Sequence, residues 1–528
     1  MSLWSSILDK LREMVNKVIG AKTVEQALRI SPAVSNDMER SIKLWTDIYK
    51  DNAPWLHEPN WNDNRRVASR GIAQQIASEK VRMCLLEWKS EITEPTKKTM
   101  QEAPKNNVNF QALNNTIETQ NSENAPFTAT RAVFLNEQYQ KLRKNFSEPL
   151  ELGATVGGLA IKPFVTFGKQ GEKTVAKEFE FSFPYGMSFI PISTDVTKMV
   201  TDALFVETKV EKGTGYHRLE RHTLVGTTYT VTNMAFKSDI VSSNLDNQDL
   251  GRQIPLSEVP EWADLQEVTT LYGVSRPLFV YLRMPGANFI DANSPLGVSV
   301  FAKAVKLIKD ADMIYSTLLW ECEAGQMAID VDRDALNTVN DEEGKTHTVM
   351  NQLQNRLYRP VDLGNEETYH PFAPALRDVS FLNVLNHILM NIEDATGLSR
   401  GTLSEANDIA KTATELKIMK QRSYQTNKQL QTAVEKAMKE VVEVMDIYCD
   451  LYQLAPKGEY QMSFEWDDSI LTDKAEELNK QMILFDRGIV SDVELRMEAK
   501  GETEAQAIEN LNKIAERNLQ SAQNQIEE

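Results

Sequence analysis

Residues 409–454 contain neither glycine nor proline. If helical throughout, that run spans about 68 Å at a rise of 1.5 Å per residue. It exceeds the width of a small domain, so the helix must cross a larger body or kink. A shorter apolar helix precedes it, "LRDVSFLNVLNHILMNIEDA", with Leu382, Leu385, Ile388, Leu389 and Ile392 on its predicted inner face. The two are joined by "SRGTLSEANDIAKTATELK" (399–417), which starts as a polar loop of small residues and ends as helix. Gly397 and Gly401 are placed to break the first helix and permit a tight reversal. Ser399, Thr402, Ser404, Glu405, Asn407 and Asp408 would make a hydrated tip, with Arg400 its one cation. Asn407 or Ser404 can cap the long helix, and Asp408 is favourable in its first turn.

Further upstream, "SVFAKAVKLIKDADMIYSTLLWECE" reads as a helix of about 37 Å. A mixed, acidic insert (325–373) separates it from the apolar helix. Residues 37–147 read as mainly helical, interrupted by the Pro/Asn/Trp-rich "NAPWLHEPNWND" and the polar "EPTKKTMQEAPKNNVN". From Gly153 the texture changes. "LAIKPFVTF", "VAKEFEFSF", "ALFVETKVEK", "YHRLERHTLV" and "TYTVTNMAF" carry the alternation and residue types of antiparallel strands, with turn signals at "EKGTGY" and "LVGTT". The β region is expected to end near Phe236, and the following stretch to be loop-like. At the C-terminal end, Gly488 and Gly501 cut three predicted helices, and Ser491 and Thr503 open capping boxes. The first residues show helical spacing of Ile7, Leu8, Leu11, Met14, Val15 and Val18. That pattern suits a helix docked on protein, or one lying on a membrane surface.

A length of 528 residues allows three or four folding units. The net charge of −18 argues against a protein whose main work is gripping nucleic acid, because such proteins carry a basic footprint. Half of that excess lies beyond residue 455, with 17 acidic against 8 basic residues. Cys84, Cys322 and Cys449 are too few and too scattered for a disulfide framework or a zinc site, which fits a reducing compartment. No run is apolar enough to span a membrane.

Motifs that carry chemistry fail on their details. "DVDRDALNTVND" (330–341) alternates Asp330, Asp332 and Asp334 like a calcium loop, but has Ala335 where the turn needs glycine and Asp341 where a bidentate glutamate belongs. "EEGKT" ends like a phosphate loop, yet Val339 stands where the first glycine should be. His217 and His222 are five apart in a predicted strand and face opposite sides. No catalytic triad, metal site or cofactor is proposed, and the chain is read as non-enzymatic. Lys303, Lys306 and Lys309 fall within an arc of about 120° on the first long helix. They fit either a solvated face paired with acids such as Asp310 and Asp312, or a basic ring if many copies surround a nucleic acid.

The residue-level reading is thus an α+β protein, predominantly helical. In "FPYGMSFIPISTD", "YHRLERHTL", "ANSPLGVSVFAKAVKLIKDAD", "ATGLSRGTLSEANDIAKTATEL", "FEWDDSILTDKAEELNKQ" and "DRGIVSDVELRMEAKGETEAQA", and in their order, the chain resembles the portal proteins of tailed bacteriophages, in particular siphophages of Gram-positive hosts. The resemblance implies a ring-forming portal fold, usually dodecameric, at one capsid vertex of the virion, assembled in the host bacterial cytoplasm. Residues 1–297 would be the wing, with N-terminal helices (1–150), a β-rich part (151–240) and a linker (241–297). Residues 298–323 and 375–395 would be stem helices, 324–374 the clip, 396–409 the channel loop, 410–469 the wing's spine helix and strand, and 470–528 the crown. The implied partners are further copies of the chain, double-stranded DNA passing through the channel, terminase, a head–tail adaptor, and the major capsid and scaffold proteins. The competing readings are another phage head–tail or baseplate structural protein, and an enzyme hidden in the β region.

Overall fold

The computed structural model describes residues 32–57, 67–95, 129–238, 250–332, 369–405, 413–466 and 482–500, apart from 87, 171–172, 327 and 489, plus three short strands between 338 and 361 and a few positions up to 514. The predicted N-terminal amphipathic helix, the "EPTKKTMQEAPKNNVN" loop, the Gly-Lys pair at 344–345 and the Thr503 capping box lie outside those residues.

The chain opens with helices α1 (Asn36–Tyr49) and α2 (Ile72–Leu85), then strand β1 (Lys89–Thr93), helices α3 (Arg131–Lys144) and α4 (Ser147–Val156). Strands β2 (Gly158–Gln170) to β7 (Thr228–Ser238) follow, through β3 (Lys173–Ser182), β4 (Phe189–Thr194), β5 (Val200–Glu211) and β6 (Thr214–Val225). The turn signals act as expected. Lys212 and Gly213 take positive φ between β5 and β6, and Gly226 does so between β6 and β7. These are the short hairpin connections whose twist suits antiparallel strands. The linker expected after Phe236 is more structured than its composition suggests. Strands β8 (Arg252–Ile254) and β9 (Val268–Tyr272) share the outer edge of β7, and β10 (Val280–Arg283) pairs with β2. The result is an antiparallel sheet in the order β4-β5-β6-β7-β8, with β9 also on β7, and a second sheet β10-β2-β3.

Helix α5 (Val305–Ala324) starts later than predicted. Residues 298–301 run without helix and 302–304 form a 3₁₀ turn. The cause is a backbone contact. A Cβ on Gly157 would lie 2.4 Å from the Gly297 carbonyl oxygen, and one on Gly297 would lie 2.2 Å from that of Gly157. Val300 then donates its amide to Ala154 O at 3.1 Å, so the chain is committed to α4 before it can coil. Between α5 and helix α6 (Asp378–Thr396) the described residues of the insert include five short strands. Strand β11 (Ala328–Asp332) pairs in parallel with β14 (Tyr358–Val361) and antiparallel with β15 (Tyr369–Phe372), and β12 (Thr338–Asn340) pairs antiparallel with β13 (Thr346–Thr348). Asp330 and Asp332 therefore sit in strand, not in a calcium loop. Arg377 closes the neck of the insert with a bidentate pair to Glu321 (3.0 and 2.7 Å).

The glycine- and proline-free run forms helix α7 (Ala413–Tyr452), about 60 Å long. Strand β16 (Gln461–Glu465) follows and pairs with β1. Helix α8 (Asp492–Lys500) then opens with the predicted capping box, Ser491 and Glu494 each bonding the other's amide. Among the described residues there are two large apolar cores and two smaller clusters on the sheet. The larger holds Leu430, Val434, Met438, Val441, Met445 and Cys449 of α7 against α3, α4, β2 and β10. The second gathers Trp45, Trp55, Ile76, Phe205, Phe279 and Phe301 around the bases of α5 and α6.

Arg131, the first residue of α3, is buried against α7. It donates to Asp446 Oδ1 (2.9 Å), Asp450 Oδ1 (2.6 Å) and Pro456 O (2.9 Å). Removing one partner of such a pair strands the other charges. Arg131→Ala is expected to lower unfolding stability by about 3 kcal/mol, read as a shift in urea midpoint. Arg82→Ala, which breaks a pair with Glu79 on an exposed face, should leave the midpoint unchanged.

Candidate functional site

The chain reverses between α6 and α7 at the segment singled out by its polar, small residues. Gly397 ends α6 in the left-handed conformation (φ 70°), and its amide caps Glu393 O. A Cβ at Gly397 would lie 2.6 Å from Thr426 Oγ1, so glycine is needed both for the turn and for the approach of α7. Leu398 then plugs into the second core. Gly401 also takes a positive φ, as expected of a reversal.

Two charged groups organise the turn, and neither was singled out from the sequence. Lys80 of α2 is buried and donates Nζ to Gly397 O at 3.1 Å. Burial lowers its pKa to about 8. Glu393 is fully buried. Its Oε1 accepts from the amides of Leu403 (2.6 Å) and Ser404 (2.9 Å), and its Oε2 from the Ser404 hydroxyl (2.9 Å) and the Gly401 amide (3.4 Å). The available signal was spacing. Leu385, Leu389 and Glu393 repeat every four residues, which places a carboxylate in an apolar stripe. A buried charge in such a stripe requires partners.

The tip is consequently less open than its composition implied. Arg400, Gly401, Thr402 and Glu405 are exposed, Ser399 is half-buried, and Ser404 is buried. Ser404 does not belong to a hydrated tip, because its hydroxyl is turned inward to Glu393; the residues at the start of the long helix that it or Asn407 would cap lie outside the described residues. Ser399 O accepts from Thr402 N (3.2 Å) and Thr402 Oγ1 (2.6 Å). Arg400 is paired with Asp394. Glu405 donates its amide to Asn386 Oδ1 at 2.9 Å. Asn407 and Asp408 lie outside the described residues.

The lysine stripe divides. Lys303 lies in the 3₁₀ turn and Lys306 in α5, both exposed, while Lys309 is half-buried. Asp312 is not their counter-ion. It is buried, accepts from Trp55 Nε1 and the Arg70 amide (both 3.0 Å), and has its pKa raised by that burial. On α6, Leu382 is exposed, although it was expected on the inner face; Leu385, Leu389 and Ile392 are buried as predicted.

The histidines of β6 serve the sheet. His217 shares a hydrogen bond with Thr208 (3.0 Å). His222 lies against Phe205 and Phe279, with Nε2 2.6 Å from Glu220 Oε1. Burial pushes the Glu220 carboxyl up, but Lys162, His222 and Arg218 outweigh it and hold the group well below its usual range. Among the described residues, no group of three or more His, Cys, Asp or Glu side chains could hold a metal ion, and no helix is long and apolar enough to cross a membrane.

Lys80 gives a pH dependence. Its ammonium is disfavoured in the folded chain, so between about pH 8 and its unfolded value near 10.5 the unfolded chain binds more protons. Burying the charge therefore costs stability below about pH 8, and that cost is relieved as the pH rises. Relative to Lys80→Met, the natural chain should gain stability between pH 7 and 9.5, measured as the difference in urea midpoints. A difference that does not change with pH would count against a titrating, buried Lys80.

The reversal, both helices it joins and the strand-built insert all fall within residues 112–522, which match the family model described as "Phage portal protein, SPP1 Gp6-like". No curated protein matches the chain. That match covers well over half of the sequence, and the chain belongs to the phage portal protein family.

Proposed function

We propose that the chain is one subunit of a dodecameric ring at a single capsid vertex, through which double-stranded DNA is packaged and later ejected. Portal proteins are capsid components that serve DNA packaging, and that much follows from the family. The finer assignment divides the chain as follows. Residues 1–297 are the wing, α5 and α6 (within 298–323 and 375–395) the stem, and the strand-built insert 324–374 the clip that docks terminase and the head–tail adaptor. Residues 396–409 are the channel loop, α7 and β16 the spine and strand of the wing, and 470–528 the crown.

The observation that carries this reading is the exposed apolar surface of the helix pair. The bases of α5 and α6 are buried in the second core, but their far halves are bare. Leu319 is 44 % exposed, Trp320 48 %, Val379 64 % and Leu382 46 %. Large apolar side chains clustered on a projecting pair of helices are costly in water and call for a covering surface. A closed ring supplies one, because each subunit offers one face to the neighbour before it and another to the neighbour after it. The acidic balance supports the same reading. DNA must slide without sticking, and each phosphate neutralised by a cation would add salt-dependent affinity. Lys303, Lys306 and Lys309 would then be sparse weak contacts on the stem.

Electron microscopy of the purified protein should show rings with a central hole. Trp320→Asp with Val379→Asp should abolish the rings while the subunit retains its helical circular dichroism. Rings that persist in this double variant would count against the stem as the subunit contact. The loop is tested separately. Thr402 is exposed, so Thr402→Cys in a Cys322→Ser background should cross-link neighbouring subunits through a short bis-maleimide if the loops crowd a narrow channel. Absence of cross-linking in intact rings would move the constriction elsewhere.

A further inference from the structure

Four donors in the reversal converge on one carboxylate. The amides of Leu403 and Ser404 and the hydroxyl of Ser404 bond Glu393, and the Gly401 amide is shared between Glu393 Oε2 (3.4 Å) and Ser404 Oγ (3.2 Å). Backbone amides gathered in a tight turn form a concave, electropositive site for an anion. These donors are uncharged. The loop's cation, Arg400, is turned away to Asp394, and Lys80 is spent on the Gly397 carbonyl. The arrangement is therefore that of an anion site with its ligand in place, not that of an ion pair. Amides and serine hydroxyls are also groups that commonly bind nucleic-acid phosphates.

We propose that residues 401–404 form an anion cradle whose resident ligand is the Glu393 carboxylate. Glu393 is the positioning residue that fixes the reversal, and by filling the cradle it withholds these donors from phosphate groups. Because Glu393 is tethered to the helix that ends at the cradle, its effective concentration there far exceeds that of a free anion. The natural loop should accordingly be indifferent to anions in solution. Removing the carboxylate should turn the cradle into an open site for acetate or inorganic phosphate. The withholding rests on the channel reading above; the cradle itself does not.

The test is hydrogen exchange with residue-resolving fragmentation on the full chain. In the natural protein the Leu403 and Ser404 amides should exchange slowly, with no response to acetate. In Glu393→Ala they should exchange at least about tenfold faster, and acetate or phosphate should restore protection where chloride at equal ionic strength does not. Unchanged exchange in Glu393→Ala would overturn the cradle. So would an acceleration that neither acetate nor phosphate reverses, since that marks a packing role alone. Glu393→Gln covers the case in which the alanine variant does not fold. Its carbonyl can still accept from Leu403 and Ser404, but its NH₂ group meets the Gly401 amide. The Gly401 amide keeps its second acceptor, Ser404 Oγ at 3.2 Å, so exchange should stay slow at Leu403 and Ser404 and gain nothing from acetate; fast exchange at both that acetate does not slow overturns the proposal. Short duplex DNA separates the two parts. Assembled Glu393→Ala rings should retain it more strongly at low salt than natural rings. Unaltered retention, with exchange behaving as expected, would sink the withholding and the loop's place in the channel while leaving the cradle standing.

Discussion

A helix of 40 residues with an apolar seam is marginal alone in water, and the larger core of this fold is what covers α7. Leu430, Val434, Met438, Val441, Met445 and Cys449 advance along it by three or four residues at a time. Helix α3 and strands β2 and β10 close over that seam. Packing of this kind is tolerant of sliding, so a directional contact is needed to set the register. Arg131 provides it, by reaching two carboxylates one turn apart on α7 and the carbonyl of Pro456 just beyond its end. Once α7 is fixed, β16 falls beside β1, and two segments more than three hundred residues apart in the chain become neighbours.

The second core performs a different task. It grips α5 and α6 at their bases, while Leu319, Trp320, Val379 and Leu382 of their far halves are exposed. The Arg377–Glu321 pair at their far end keeps the two helices together where the apolar core has run out. At the near end, Leu398 and Leu403 of the turn into α7 pack against the second core. The polar groups buried there cannot be left unpaired.

The parts legible in the sequence are those where local pattern and tertiary environment agree. Strands β5, β6 and β7 alternate or cluster β-branched and aromatic residues and are separated by glycine-containing turns, so they could be read directly. Helix α7 could be read because nothing in it interrupts a helix. Other parts depend on distant partners. β10 is four residues long and exists because the edge of β2 is there to receive it. Residues 298–304 carry a helical pattern, but Gly157 and Gly297 approach so closely that the chain is pinned before it can coil. The sequence placed the reversal correctly from Gly397 and Gly401, but mistook its character. Serine and threonine in a loop suggest hydration, and Ser404 is drawn inward instead by Glu393, a residue that reads as part of an apolar helix.

That inversion follows from where the charges are satisfied. A carboxylate on the inner stripe of α6 could be neutralised by a cation, as Glu220 is by Lys162 in the sheet. At the reversal it is held by uncharged backbone donors. A salt bridge there would leave the backbone amides of the turn free to face outward. The amide solution consumes donors and charge together. The exposed residues are Arg400, already paired with Asp394, together with Gly401, Thr402 and Glu405. A surface of this composition offers little for a phosphate backbone to hold.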